Sequence, residues 1–208
     1  STNLIGNAEV KVDSLTISAD RIEIFGKDYR YVNASGSVKG EDDEKGYSFK
    51  ADIINFDRKT DMVTMFGKLE LKDTKNDVSI SSENIEYKKK QEIIIMRFNV
   101  KIINKDINCN SMFALYNRKE SKVELTGSPL VKKGKDEFRA GKISVNLDTE
   151  DITLDGRVRG SVEQGKDEKE DDKESENNKN SQDEKKDNTN LQENGDKPDQ
   201  NQEEQPNV

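Results

Sequence analysis

Three acidic residues are the first candidates for chemistry, because Asp20, Asp52 and Glu83 occupy equivalent positions in segments that resemble one another. Two carboxylates held within several ångströms of each other can act together in hydrolysis, most familiarly on glycosidic bonds. Residues that recur once in each repeat are instead expected to lie one repeat apart. We therefore interpret them as a polar start to each strand and not as a catalytic pair.

Histidine and cysteine supply most metal sites and nucleophilic dyads, and this chain has almost none of either. Its 208 residues contain no His and a single Cys, Cys109. The usual zinc sites, Ser-His-Asp triads and Cys-His dyads therefore have no residues to build them. A disulfide within the chain is impossible, and Cys109 is interpreted as a small buried residue. The sequence predicts no enzymatic activity, no catalytic residue, no metal site and no cofactor.

Short basic runs offer a different chemistry, the binding of phosphate groups. Lysine and arginine side chains near the mouth of a groove could pair with phosphates on an anionic lipid headgroup. A solvated turn is the default interpretation of such runs, and nothing in their spacing defines a phosphate-binding loop. The runs are Lys88–Lys90, Arg118–Lys119, Lys132–Lys133 with Lys135, and Arg157 with Arg159.

The elements that would position these residues fall into two regions of different composition. Residues 163–208 contain 16 acidic residues and 7 lysines, and only Leu191 and Val208 are apolar. That segment cannot bury enough surface to fold, so we expect a disordered acidic tail, either a solubilising end or an interaction arm. Residues 1–162 carry 27 acidic and 28 basic residues with nearly all of the apolar ones, which predicts one folded domain.

The same composition restricts partners and location. A near-neutral domain followed by an acidic tail argues against nucleic acid as a partner. The longest unbroken apolar run, Ile93–Met96, is far short of the roughly 18 residues that a membrane helix needs. The chain opens with Ser1 rather than Met, so a signal peptide is presumed to have been removed.

An internal repeat organises the folded region. A small residue recurs at Ala19, Ala51, Ser82, Ser111 and Ala140, with steps of 32, 31, 29 and 29 residues, and an acidic residue follows it in the first three. A second marker follows each of these anchors by 17 residues in the first repeat and by 16 in the other four. The second markers are Gly36, Gly67, Phe98, Gly127 and Gly156.

Within each repeat, apolar residues alternate with polar ones, which is typical of β-strands. Each unit reads as a strand, a polar turn, a second strand and a connector. One hairpin cannot bury its apolar face alone, so the predicted fold is all-β, with about five two-strand repeats that enclose a common interior. A parallel β-helix, or β-solenoid, is the alternative. The glycine column predicts a bulge or bend rather than a ligand contact, with Phe98 as a plug or contact point in the middle repeat.

Two segments carry a resemblance to a known family. Residues 19–25 (ADRIEIF) and 51–57 (ADIINFD) are each followed by a glycine-centred strand, around Gly36 and Gly67, and the pattern recurs across residues 10–162. This resembles the LptA/OstA family. The resemblance implies an open, twisted antiparallel β-jellyroll with an apolar groove. Phe98 in place of glycine, and Met112 and Gly141 in place of an acid, depart from the pattern.

The family also implies a function, a location and partners. Its members carry lipopolysaccharide across the periplasm and join head to tail through edge strands, both to copies of themselves and to inner-membrane and outer-membrane transport proteins of the same fold. For this chain the resemblance implies binding of lipopolysaccharide or a related glycolipid in the periplasm. The alternative is a structural β-repeat scaffold, with a filled interior, that acts through protein contacts only.

The residues expected to line the groove are the apolar members of the alternating strands. Acyl chains require only apolar surface, and each buried CH₂ contributes roughly 0.8 kcal/mol. Two methionines in the set suit adaptable contacts. The predicted lipid-binding residues are Ile22, Ile24, Ile54, Phe56, Met65, Ile85, Tyr87, Met96, Phe98, Leu125, Ile143 and Leu154.

Overall fold

The computed structural model describes residues 1–162, and the acidic tail expected at 163–208 lies outside the described residues. The described chain is a single sheet of fourteen strands with one short 3₁₀ turn at Lys27–Tyr29. It contains no helix that could span a membrane. The predicted all-β class is confirmed. The strands are β1 Thr2–Val12, β2 Leu15–Phe25, β3 Tyr31–Asp42, β4 Tyr47–Asp57, β5 Met62–Asp73, β6 Val78–Lys88, β7 Ile93–Asn104, β8 Ile107–Asn117, β9 Lys122–Thr126, β10 Leu130–Lys133, β11 Asp136–Arg139, β12 Lys142–Asn146, β13 Ile152–Asp155 and β14 Arg159–Ser161.

Strands β1 to β8 form an antiparallel meander in chain order, joined by tight turns. After β8 the sheet divides. One half of β8 pairs with β9, which leads on to β12 and β13, and the other half pairs with β10, which leads on to β11 and β14. The sheet is open, with β1 at one edge and β13 and β14 at the other. Because the strand pairings of the described residues are antiparallel, the β-solenoid alternative is wrong.

The strands are longer than the sequence pattern predicts, because they run through the repeat anchors. Ala51 and Asp52 lie in the middle of β4, so the expectation that each acidic residue starts a strand is wrong. The reason is a change of phase. Along β4 the buried residues are Tyr47, Phe49 and Ala51 and then Ile54 and Phe56, so the alternation shifts by one at the anchor. That shift makes one continuous strand look like two segments.

In β3 and β5 the glycine column marks a β-bulge in the strand that contains each glycine, as predicted. Ser35 pairs with Arg21 and Lys39 with Ser18, so three residues of β3 oppose two residues of β2. Gly36 has a φ of 76° and Ser37 a φ of 48°, both in the left-handed region. Such a bulge bends the strand and strengthens its twist.

The bulge also explains why an acidic residue and a glycine recur together. The side chain of Asp52 lies over Gly67 in the next strand, and a Cβ atom at Gly67 would come within 2.6 Å of the Asp52 Cβ. The backbone N–H of Lys68 donates a hydrogen bond to Asp52 Oδ2 at 3.3 Å. The acidic side chain of one strand therefore covers the bulge in the next strand along the chain. Its role in this position is structural.

The bends divide the sheet into two arms that face each other. Arm 1 comprises the half-strands near the turns at residues 26–30, 58–61, 89–92 and 118–121, together with β9, β12 and β13. Arm 2 comprises the half-strands near the turns at 13–14, 43–46, 74–77 and 105–106, together with β10, β11 and β14. Asp73 at the tip of arm 2 contacts Arg118 at the tip of arm 1. Since Asp73 and Arg118 lie at opposite ends of the long strands, their contact requires the sheet to fold back on itself.

Candidate functional site

The space between the two arms is the candidate site, and arm 1 forms one of its walls. Nine of the twelve predicted lipid-binding residues lie on this wall with at most 1% of their surface exposed. Ile24 and Leu154 are partly buried and pack against the same cluster. The structure therefore brings eleven of the twelve together in one apolar interior. The nine buried residues are Ile22, Ile54, Phe56, Met65, Ile85, Tyr87, Met96, Leu125 and Ile143.

Phe98 is the exception, because it lies on the outside of the bend. Its side chain is 45% exposed, and its ring centroid is 5.9 Å from that of Phe113, which is 43% exposed. Phe98 has a φ of 66°, so it occupies the glycine position of the bulge. Its neighbour across the bulge, Met112, replaces the acid of the other repeats and is also exposed. The two departures from the repeat pattern, Phe98 and Met112, are thus both exposed apolar side chains.

Sequence reasoning missed the second wall, which belongs to arm 2. In β5 the alternation continues unbroken past the bulge, from Val63 and Met65 to Leu69 and Leu71, and this signal could have revealed it. Cys109 lies on this wall, where burial raises the pKa of its thiol to about 12. The expectation of a small buried cysteine is confirmed. The second wall consists of Leu15, Ile17, Val38, Phe49, Leu69, Leu71, Val78, Ile80, Val100, Ile102, Ile107, Cys109 and Val131.

Arg118 closes the interior at the tips of the arms. Its Nε and Nη2 atoms donate to Asp73 Oδ2 and Oδ1 at 2.6 and 2.8 Å, a bidentate pair. It also donates to the Tyr87 hydroxyl at 3.2 Å and to the Lys45 carbonyl at 2.9 Å. The Arg118 side chain is 4% exposed and that of Asp73 is 0% exposed. The interpretation of Arg118 as part of a solvated turn is therefore wrong, because it is a buried partner of the opposite arm.

The electrostatics of this pair keep both groups charged. Burial raises the pKa of Asp73, but hydrogen bonds from Arg118 and Asn76 outweigh it and hold the pKa below its ordinary value. Burial lowers the pKa of Arg118, and the bonds to Asp73 outweigh that effect in the same way. The Tyr116 hydroxyl contacts Asp73 Oδ2 at 3.4 Å, and burial raises the pKa of this phenol. The tips of the arms therefore meet through a charged and fully hydrogen-bonded contact.

A second contact lies beside the first. The Lys89 ammonium is 3.6 Å from Asp42 Oδ2, which also accepts a hydrogen bond from the Tyr47 hydroxyl at 3.2 Å. The rings of Tyr47 and Tyr87 meet edge to face across the arms at a centroid distance of 5.3 Å. We call this line of contacts between the arm tips the seam. Its remaining ion pairs are Lys45 with Glu92 at 3.5 Å, and Lys105 and Lys133 with Glu150 at 3.3 and 2.9 Å.

At the β1–β3 end the arms are separated by an open cavity of about 380 Å³. Val10 and Val12 of arm 2 and Ile24 and Val32 of arm 1 line it. Thr2, Lys11, Asp13, Tyr29 and Arg58 complete its lining. The apolar interior is thus accessible to solvent at this end of the molecule.

Two lysines of the other basic runs form ion pairs on the surface. Lys90 pairs with Asp61 at 3.2 Å, and Lys132 pairs with Glu137 at 3.1 Å. Within residues 1–162 no cluster of three or more His, Cys, Asp or Glu side chains could hold a metal ion.

One protein-family model matches most of residues 1–162. The family model described as the LptA/LptD N-terminal domain lipopolysaccharide transport protein matches residues 1–93 and 89–151. No curated protein sequence matches the chain. Among solved structures, one similar to this chain is the crystal structure of LptH, the LptA-homologous periplasmic component of the lipopolysaccharide transport device of Pseudomonas aeruginosa. It has 10% sequence identity, covers 72% of this chain and 95% of its own, and has a TM-score of 0.33.

Proposed function

The chain belongs to the LptA/LptD N-terminal domain family of lipopolysaccharide transport proteins, and from this premise we propose that it carries lipopolysaccharide or a related glycolipid through the periplasm. The acyl chains would lie between the two arms, in contact with both apolar walls. The sugar and phosphate groups would remain at the seam or in water. The chain itself supplies binding and orientation, and no covalent step is involved.

The observation that supports this proposal is the two-walled apolar interior with an open end. Residues such as Met65 and Met96 have flexible side chains that can repack around a ligand. The backbone polar groups on both walls are satisfied by the strand ladders, so an acyl chain would meet no unpaired donor or acceptor. The cavity beside Ile24 and Val32 provides an apolar surface where the end of a chain could first be held.

We further propose that the edges of the sheet join this chain to its neighbours. Among residues 1–162, strand β1 pairs on one side only, with β2, and Ile5 near its centre is 77% exposed. An edge strand of this kind can accept a strand from another sheet through main-chain hydrogen bonds. At the opposite end, β13 and β14 are short. The partners would be a second copy or inner-membrane and outer-membrane transport proteins with the same fold.

A structural scaffold is the second candidate, and the buried state of the interior favours it. Ile54, Ile85 and Met96 each have 0% of their surface exposed, so in this conformation the walls pack against each other. A scaffold would retain that packing and act only through its edges. The two functions differ in whether lipid enters the interior.

A pair of substitutions at adjacent residues of β5 tests the proposal. Met65 faces the interior, whereas Phe66 faces outward and is 39% exposed. We expect the full chain to form a saturable adduct with detergent-dispersed lipopolysaccharide in native mass spectrometry, and Met65→Arg to lose it by at least tenfold. Phe66→Arg introduces the same charge on the outer face and should retain the adduct.

A photo-crosslinking experiment tests the same proposal if Met65→Arg does not fold. A benzophenone amino acid at Phe56, which is 1% exposed, should crosslink to the lipid on irradiation. The same group at Phe66 should not. If lipopolysaccharide, a neutral glycolipid and a phospholipid all fail to bind the folded protein, the scaffold is the better account.

A further inference from the structure

The seam is held differently from the rest of the molecule. Within each arm, neighbouring strands are joined by backbone ladders, and backbone bonds between turns such as Arg118 N–H to Glu92 C=O also stay within one arm. Across the seam, the contacts described above are made by side chains, apart from the Lys45 carbonyl that accepts from Arg118. The seam is therefore the line along which the arms can separate without breaking a strand ladder.

We propose that the seam is a latch, and that lipid loads into the interior only when the Arg118–Asp73 and Lys89–Asp42 pairs release and the arms part. This inference rests on the proposed function, because it concerns how a lipid reaches the same interior. The ligand class is an amphiphile with acyl chains and an anionic headgroup. When the arms part, Arg118 and Lys89 are left at the rim, where they can pair with a phosphate in place of their carboxylates.

Burial of the walls makes the opening necessary. Tyr87 on arm 1 packs edge to face on Tyr47 of arm 2, and both are buried. Interior side chains pack as densely as an organic crystal, so a chain several methylenes long cannot enter without displacing one wall from the other. The bulges give the strands a place to flex, since they interrupt the ladder at the bend.

The chemistry of the latch suits repeated opening. A buried ion pair contributes little net stability, because desolvation offsets most of the attraction between its charges. When the arms part, water solvates both Arg118 and Asp73, and the desolvation cost is recovered. An apolar contact at the same place would lose its full burial energy on opening. The pair thus fixes how the two arms align when closed, and the free-energy barrier to their separation stays modest.

A crosslink across the seam tests the latch. In a Cys109→Ser background, Lys45→Cys with Glu92→Cys places two thiols on opposite arms, at a salt bridge whose side chains are 42% and 25% exposed. A short bis-methanethiosulfonate reagent should join them. The matched control is Lys50→Cys with Glu70→Cys, an exposed salt bridge of 3.1 Å between neighbouring strands of arm 2. This second crosslink leaves the arms free to separate.

The readout is adduct formation with detergent-dispersed diphosphoryl lipid A in native mass spectrometry, with a neutral galactolipid and inorganic phosphate as comparison probes. We expect the seam crosslink to reduce lipid A binding at least tenfold, reductant to restore it, and the control crosslink to leave it unchanged. Inorganic phosphate alone should not form the adduct, because the acyl chains provide the binding energy.

The possible negative results distinguish failure of the latch proposal from failure of the proposed carrier function. Undiminished binding after complete seam crosslinking overturns the latch while the carrier function stands. Equal loss with both crosslinks also overturns it, because general stiffening would then be the cause. If neither cysteine variant binds lipid before crosslinking, the carrier function fails and the latch fails with it.

Discussion

Replacing Arg118 by methionine should destabilise the protein far more than the loss of an ordinary surface arginine. The substitution keeps most of the side-chain volume and removes the charge. It leaves Asp73, with 0% of its side chain exposed, supported only by the Asn76 amide at 2.9 Å, nearby backbone N–H groups and the Tyr116 hydroxyl at 3.4 Å. Removing one partner of a buried pair costs about 3–5 kcal/mol, whereas an exposed pair contributes at most about 1 kcal/mol. We expect Arg118→Met to fall within the first range.

The double variant Asp73→Leu with Arg118→Met isolates the interaction free energy of the pair from the other effects of each substitution. Neither charge is then left buried alone, so we expect the double variant to lose no more stability than one single variant does. Urea unfolding of the wild type, both single variants and the double variant gives the four free energies of the cycle, with m-values showing whether the unfolded state has changed. Additive losses below about 1 kcal/mol each would show that the pair is hydrated, and the seam would then be open in solution.

Acid titration provides an independent check of the same pair. Burial raises the pKa of Asp73, and the bonds from Arg118 and Asn76 more than reverse it, so the folded-state pKa lies below the ordinary value of about 3.9. A lowered folded-state pKa gives stability that is present above the unfolded-state pKa and lost as pH falls through the folded-state value. The same holds for Asp42, because burial raises its pKa but hydrogen bonds from the Lys45 backbone N–H and the Ser14 hydroxyl, with the charge of Lys89, more than reverse that effect. The wild type should therefore lose stability below about pH 4, and the double variant should lose less over that range.

Three smaller predictions concern the bend and the interior. Gly67→Ala should cost about 1–3 kcal/mol in urea unfolding because of its φ of 98° and its contact with Asp52, and Asp52→Ala in the same chain should recover part of that loss. Phe98→Gly should change stability by less than about 1 kcal/mol, since relief of the left-handed backbone offsets the lost aromatic contact, and it should leave lipid binding unchanged. The Cys109 thiol should react with an aromatic disulfide reagent only on unfolding, because burial raises its pKa to about 12, and reaction of the native protein at the rate of a free thiol would contradict its placement.

The repeat and the alternation were sufficient to predict the class of fold, the turns and one wall of the interior. They failed at the anchors, where the extra residue of each bulge shifts the phase of the partner strand. That shift made Ala51 look like the start of a strand when it lies near the middle of one. The second wall was missed for the same reason, since Phe49 lies before the change of phase in β4 and the alternation was followed only after it, through Ile54 and Phe56. Local patterns locate strands well, but a bulge joins two patterns of opposite phase.

The seam could not be predicted, because its contacts depend on how the sheet folds and not on any local pattern. Arg118 and Asp73 are 45 residues apart, and the polar segments at the end of β5 and after β8 resemble the other turns of residues 1–162. Only the bend brings the two sets of turns together and buries these charges. A cluster of lysine and arginine in a turn is most often solvated, and Lys90 behaves in that way. Arg118 and Lys89 differ because the opposite arm presents Asp73 and Asp42.

The closed interior and the carrier function are compatible because two similar free energies oppose each other. Parting the arms exposes apolar surface at about 25 cal/mol per Å², while each CH₂ of an entering chain recovers about 0.8 kcal/mol. One chain of about twelve carbons therefore offsets roughly 400 Å² of newly exposed wall. Without lipid, the same exposure is uncompensated and the walls close on each other. A latch of ion pairs adds little to this balance, since water solvates the released charges, so the lipid itself decides whether the arms stay apart.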